Sequence, residues 1–214
     1  VLESLKVNSF FPISLSKICR ELGAPLIHIS TDAVFNPFAM KASNELAKTF
    51  PTNLYSFTKK LGEVQQENVL ILRASFIPTH EFRLNDRQDL YSRIKLLPKN
   101  SSLSGATNYK WNGLTSQSLA DIVGNIINLR KKETGIRHIH SARAYSRFEI
   151  IKLLCSHLQR LDININPIRL KVSRYMVLDS IYSPFHEALW KGLGFDSLPT
   201  FEELLMEESR ANLN

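Results

Sequence analysis

Two short apolar runs do most to restrict the fold. Leu26-Ile27-His28-Ile29 and Val69-Leu70-Ile71-Leu72 each have the length of a buried strand, and each follows a segment of helical period. The first such segment, about residues 5–22, puts Val7, Phe10, Phe11, Ile13, Leu15, Ile18, Cys19 and Leu22 at apolar positions, with Gly23 placed as a C-cap. The second covers about residues 54–67, and strands are expected over 26–30 and 69–74. Helix, strand, helix, strand with short connections is the signature of a parallel sheet built from right-handed crossovers. The expected class is α/β: a partial doubly wound, Rossmann-like parallel sheet lacking its first strands.

Beyond Pro78 the alternation lapses. Residues 79–113 read as polar and irregular, with one helical stretch at 90–97. Thr115, Ser116 and Ser118 then open an apolar-periodic helix over 119–129, Gly135 leads into a strand at 136–140, and a helix follows at 147–161. The tail, 175–205, holds short elements around Trp190 and Phe195, with Gly192-x-Gly194 as a turn. The chain thus divides into 1–77, the later half of a nucleotide-binding domain, and 78–214, mainly a smaller interleaved substrate-binding region, with 115–140 returning to the sheet.

With 214 residues and 43% hydrophobic content the chain can bury a substantial core. The 27 basic and 20 acidic residues leave a charge of +7, but the basic residues are scattered and residues 202–208 are acidic, so no nucleic-acid partner is expected. No apolar run approaches the ~18 to 20 residues of a membrane span, and the N-terminus lacks a signal peptide's basic start and long apolar core. Cys19 and Cys155 are far apart with no metal-ligand spacing, which fits inert thiols in a cytoplasmic protein. His138-x-His140 would share a strand face but has no third ligand in view, so no metal site is expected. The chain begins at Val1 in mid-pattern, as a piece of something longer would.

The chemistry rests on three residues. Thr31, in Ser30-Thr31-Asp32-Ala33-Val34-Phe35, sits where the first strand should end, and Tyr55 and Lys59 share a helix face at i,i+4. Such a group suits carbonyl reduction, which needs a hydride donor and a group to protonate or stabilise the oxygen. An ordinary Tyr titrates near ~10, and bringing it toward ~7 takes about 4 kcal/mol. A Lys ammonium one turn away would supply much of that, and the positive charge of an oxidised nicotinamide would add to it. Thr31 would hold the substrate oxygen against Tyr55; positioned acid catalysis of this kind contributes roughly 10² to 10⁴ in rate.

These motifs resemble the extended short-chain dehydrogenase/reductases, specifically the dTDP-4-dehydrorhamnose reductase family of sugar-nucleotide-modifying enzymes. The resemblance rests on the Thr31 motif, on Tyr55-Ser56-Phe57-Thr58-Lys59-Lys60-Leu61-Gly62-Glu63, and on Leu72-Arg73-Ala74-Ser75. Trp111-Asn112-Gly113-Leu114-Thr115-Ser116, Leu119-Ala120 and Gly135-Ile136-Arg137-His138-Ile139-His140 extend it over nearly the whole chain. It implies Thr31, Tyr55 and Lys59 as a catalytic triad, Ser30 and Asn8 beside Tyr55 and Lys59 on the cofactor side, and Asp32 and Phe76 with Thr31 on the substrate side. Trp111 either lines that pocket or packs in the core; Lys95, Lys99, Lys110 and Arg174 could grip a diphosphate, but the favoured reading is that each is solvated. Ala33, Ser56, Phe76 and Leu114 stand where the family commonly has Tyr, Gly, Trp and Pro.

The implied activity is NAD(P)H-dependent reduction of a nucleotide-linked 4-keto-6-deoxy sugar in surface polysaccharide precursor synthesis, by a homodimer. The alternatives are a non-catalytic sugar-nucleotide-binding or regulatory subunit, an inactive fragment, or a same-fold epimerase or dehydratase, which would need a further acid/base near Thr31. The family's G-x-x-G-x-x-G phosphate loop has no counterpart among glycines 23, 62, 105, 113, 124, 135, 192 and 194. Only a half-site for NADP(H) or NAD(H) is therefore expected.

Overall fold

The computed structural model describes residues 1–79, 89–128 and 133–211. In chain order, α1 (Leu2–Leu5), a π-helical turn (Lys6–Phe10) and α2 (Phe11–Glu21) form one helical stretch. It is followed by β1 (Leu26–Thr31), a 3-10 turn (Asp32–Val34), α3 (Leu54–Leu61), β2 (Val69–Ala74), β3 (Phe76–Ile77) and α4 (Leu90–Leu96). Then come β4 (Ser102–Ala106), β5 (Tyr109–Trp111), β6 (Leu114–Thr115), α5 (Ser116–Asn128) and β7 (Gly135–Ile139). The remainder holds β8 (Tyr145–Ser146), α6 (Arg147–His157), β9 (Asn164–Ile168), β10 (Arg174–Met176), α7 (Ser183–Gly192) and α8 (Phe201–Ala211).

The central sheet is parallel, in the order β1-β2-β7. All of β2 is buried, as its unbroken apolar run requires of a strand covered on both faces. The register sets Thr31 beside Ala74 and Ala74 beside Ile139, so the three strands end at one level. Ligands of open parallel sheets bind beyond such carboxyl ends. One core joins Leu70, Leu72, Ile122, Ile126, Ile139, Leu189 and Trp190 under the sheet; a second joins Tyr91, Ile94, Leu103, Ile150, Leu154 and Phe201 in the smaller lobe.

Two helix ends differ from the sequence reading. α3 stops at Leu61 and not near 67, because Glu63 leaves the helix for the interior to meet Arg73. Gly62 permits that exit: a Cβ there would lie 2.0 Å from the Asn8 carbonyl oxygen. α6 ends at His157, where Leu158 caps it and Gln159 turns left-handed at φ 54°. Residue 129, expected to end α5, lies outside the described residues, as does 80–88 of the stretch read as irregular. The rest of that stretch is not irregular: β4 pairs with β9, and β5 with β8 and β10. Ser102 finds its partner at Asn164, too far along the chain to leave a local signal.

Candidate active site

A cleft of about 550 Å³ opens at the carboxyl ends of β1 and β2, between the sheet and the smaller lobe. Thr31, Asp32, Tyr55, Lys59, Phe76 and Trp111 all line it. Each arrives by a local rule. Thr31 is the last residue of β1 and caps the 3-10 turn, its Oγ1 accepting from the Ala33 N–H at 3.2 Å. Asn53 caps α3 by accepting from the Ser56 N–H at 2.9 Å, and Ser56 Oγ accepts from the Asn53 N–H in return. Ser56, where the family commonly has Gly, thus completes a capping box that orients the helix carrying Tyr55 and Lys59.

Tyr55 is 53% exposed and lines the cleft together with Thr31. Its phenol titrates above the usual range: partial burial raises it, the neighbouring Thr31 hydroxyl opposes that, and the Asp32 charge adds to it. Here the structure differs from the expected tuning. The Lys59 ammonium donates to the Ile29 carbonyl at 2.6 Å, and burial pulls its own titration down against the nearby Glu63 charge. In this state Lys59 does not make Tyr55 acidic.

Asp32 is buried at 5% exposure, and burial lifts its carboxyl to about 6 even though the Thr31 hydroxyl donates to its Oδ1 at 3.2 Å. Trp111 serves pocket and core together: its Nε1 donates to Ser75 Oγ at 2.8 Å while its ring meets Phe201 edge-on at 5.3 Å. Phe76 stands 44% exposed on the cleft wall.

Two residues expected on the cofactor side hydrogen-bond to the scaffold. Asn8 does not line the cleft; from the π-helical turn its Nδ2 donates to Thr58 Oγ1 at 3.1 Å and braces α3. Ser30 reaches the cleft, but its hydroxyl donates to Glu63 Oε1 at 2.7 Å. Glu63 also receives Arg73 Nε at 2.8 Å and Nη2 at 2.7 Å, and Lys60 at 2.8 Å, so one buried carboxylate ties β1, β2 and α3 together.

Lys95, Lys99, Lys110 and Arg174 do not line the cleft. Lys110 pairs with Glu149 at 3.4 Å, and Arg174 lies over the Tyr109 ring. Besides Lys59, Arg147 brings a cation to the cleft wall, with Tyr109 and Met176 also lining it. These the sequence reading missed. Arg147 follows Ser146 in a capping box, Ser146-Arg147-Phe148-Glu149, and that S-x-x-E signature could have placed it at a helix start. His138 and His140 are buried, each with Nδ1 at a backbone carbonyl, and among the described residues no group of three metal-ligating side chains comes together.

Tyr55 and Lys59 share one wall of the cleft, where the ribose and nicotinamide end of a dinucleotide would meet them. No glycine is among the residues that line the cleft.

No helix among the described residues is long and apolar enough to cross a membrane. The chain is 29% identical over 151 residues to a dTDP-4-dehydrorhamnose reductase of Mycolicibacterium smegmatis (strain ATCC 700084 / mc(2)155), a match covering 67% of this chain and 44% of the relative. It thus spans less than half the length of that relative. Among solved structures it resembles a dTDP-4-dehydrorhamnose reductase of Clostridium acetobutylicum ATCC 824, with TM-score 0.74 and 19% identity over 98% of this chain and 74% of the other. The enzyme of the same name from Bacillus anthracis str. Ames, in complex with NADP, gives TM-score 0.72 and 20% identity over 94% of this chain and 69% of that one. These likenesses fix a Rossmann-like α/β fold. The sequence pattern described as the RmlD substrate binding domain runs from residue 2 to residue 210, through every element that builds the cleft, and the chain belongs to that family.

Proposed function

We propose that this chain carries the catalytic and substrate-binding part of an NAD(P)H-dependent reductase of a nucleotide-linked 4-keto-6-deoxy sugar, at work in surface polysaccharide precursor synthesis in the cytoplasm. The observation that carries the reading is the convergence of Thr31, Tyr55 and Lys59 on one cleft from β1 and α3. A bound reduced nicotinamide would supply hydride to the keto carbon. Tyr55 donates the proton that the oxygen takes up, Thr31 holds the hydroxyl of Tyr55 in place, and Lys59 marks the edge where a ribose diol would sit. Phe76 and Trp111 offer apolar walls to the deoxy sugar, and Arg147 faces the cleft as a cation for its diphosphate. The names of the relatives, reductases of dTDP-linked sugars, one of them bound to NADP, support the substrate class and the cofactor.

The exposed apolar residues Val7, Phe11 and Ile18 on the N-terminal helical stretch and Leu54, Phe57 and Leu61 on α3 support a homodimer built on that face. The direct test supplies NADPH and 4-keto-6-deoxy sugar nucleotides and follows nicotinamide absorbance. Turnover that is lost in Tyr55→Phe is the expected result; turnover that survives in Tyr55→Phe removes Tyr55 from the reaction.

A further inference from the structure

One wall of the cleft has its polar atoms in use before any ligand arrives. Side chains alternate along β5, so Tyr109 and Trp111 turn to the cleft while Lys110, between them, pairs with Glu149. The Trp111 indole is then clamped from three directions. Its Nε1, the one polar atom of the ring, donates to Ser75 Oγ at 2.8 Å. Its ring meets that of the fully buried Phe201 edge-on, with centroids 5.3 Å apart. On the third side it packs on bare backbone: a Cβ on Gly113 would collide with Trp111 Cζ2 and with the Ser75 carbonyl oxygen. That carbonyl is in use as well, accepting from the Leu114 N–H at 2.8 Å.

The clamp lies at the level of Thr31. Ala74 is the register partner of Thr31 and Ser75 is the next residue, so the Ser75–Trp111 bond joins the sheet to the smaller lobe there. The lining is divided. Ser30, Thr31, Tyr55 and Lys59, from β1 and α3, are polar, with Asp32 beside them. Phe76, Ile77, Trp111, Ile150 and Met176, from β3, β5, α6 and β10, are apolar. A 4-keto hexose shows the same division on the two sides of its carbonyl, with a hydroxyl on C3 and the C6 substituent on C5. With the keto oxygen at Thr31 and Tyr55, matching polar to polar turns C6 toward Trp111. A methyl group loses nothing there. A hydroxyl gives up its water and finds the indole N–H and the Ser75 carbonyl already taken.

We infer that Trp111 is a specificity-determining residue that admits a methyl group at C6 of the sugar and turns away a hydroxymethyl group. Ser75 and Gly113 are positioning residues that act through it. The inference rests on the sugar-nucleotide part of the reading above, and not on hydride transfer.

The experiment measures calorimetric affinity for two probes that differ by one oxygen, dTDP-6-deoxyglucose and dTDP-glucose. The unaltered chain should bind the deoxy sugar roughly 10- to 100-fold more tightly. Trp111→Phe removes the indole N–H and frees Ser75 Oγ, whereas Ser75→Ala leaves the N–H without a partner. Either change offers the sugar hydroxyl a partner, and each should bring the two affinities within about threefold. The double variant removes both polar groups and should restore the preference. A merely loosened cleft would not regain it, so a preference lost in the single variants and still absent in the double overturns the proposal. Single variants that keep the full preference overturn it too. So does a ratio below about 10 in the unaltered protein, a result that no misfolded variant can blur. Neither probe carries a keto group or calls for a nicotinamide. The preference without turnover on any keto sugar nucleotide upholds the wall and overturns the reductase reading; turnover with no preference does the reverse.

Discussion

Replacing Glu63 by Gln should be among the most damaging conservative changes in this protein. Its side chain is 0% exposed and that of Arg73 2%, so the change leaves a buried guanidinium facing a neutral amide in place of a carboxylate, with the Phe35 ring 5.0 Å away and His138 nearby. Removing one member of such a pair typically costs about 3 to 5 kcal/mol. A second route gives a similar figure. The Glu63 carboxyl, despite burial, is pulled from 4.5 down to about 2, chiefly by its hydrogen bonds and charge pairing with Arg73. At ~1.36 kcal/mol per unit that shift corresponds to about 3 kcal/mol. The sign follows from a folded-state value below the unfolded one: the stabilisation is present above pH 4.5 and lost as pH falls toward 2. Urea unfolding of Glu63→Gln and the unaltered protein should differ by about 3 kcal/mol at pH 7. The two should converge as pH approaches 2. A gap below about 1 kcal/mol at pH 7, in the range of an exposed pair, or one that stays constant down to pH 2, would refute the buried-pair argument.

Gly62→Ala would set a methyl group 2.0 Å from the Asn8 carbonyl, so α3 or the π-helical turn must move. The expected loss is about 1 to 3 kcal/mol in thermal or urea unfolding; a neutral result would show that this junction is loose. The 214-residue polypeptide should bind NADPH weakly or not at all, since its cleft offers no glycine cradle, and tight calorimetric binding would contradict this. Phe11→Asp or Phe57→Asp should convert a dimer into a monomer in light scattering, whereas an unaltered protein that is already monomeric sinks the homodimer.

The sheet was legible because its strands are local apolar runs: every residue of β2 is apolar save Arg73, and the partner of Arg73 lies only ten residues back at Glu63. Thr31, Tyr55 and Lys59 were legible for the same reason, each being fixed by one strand end or one helix turn. What the sequence hid is long-range. Tyr109 and Arg147 reach the cleft through β5 pairing with β8 and β10, contacts between strands too short to show a period. For Asn8, matching a motif position fixes a place in the chain and not the direction of a side chain. In the π-helical turn it faces Thr58, not the cleft.

The raised Tyr55 phenol bears on which direction of the chemistry the cleft favours. A group that must abstract a proton from an alcohol near neutral pH needs its pKa brought down by about 3 units, roughly 4 kcal/mol. The charge best placed to do so, Lys59, is held on the Ile29 carbonyl. Burial and Asp32 push the other way, so Tyr55 stays protonated throughout the neutral range. For donation that is no handicap. An alkoxide is comparable in basicity to hydroxide, whose conjugate acid titrates at about 15.7, and proton transfer to it from a phenol above ~10 remains downhill by several units. The electrostatics of the cleft before any ligand enters therefore favour Tyr55 as an acid. Running it as a base requires a positive charge brought in from outside the chain or the movement of Lys59 off Ile29.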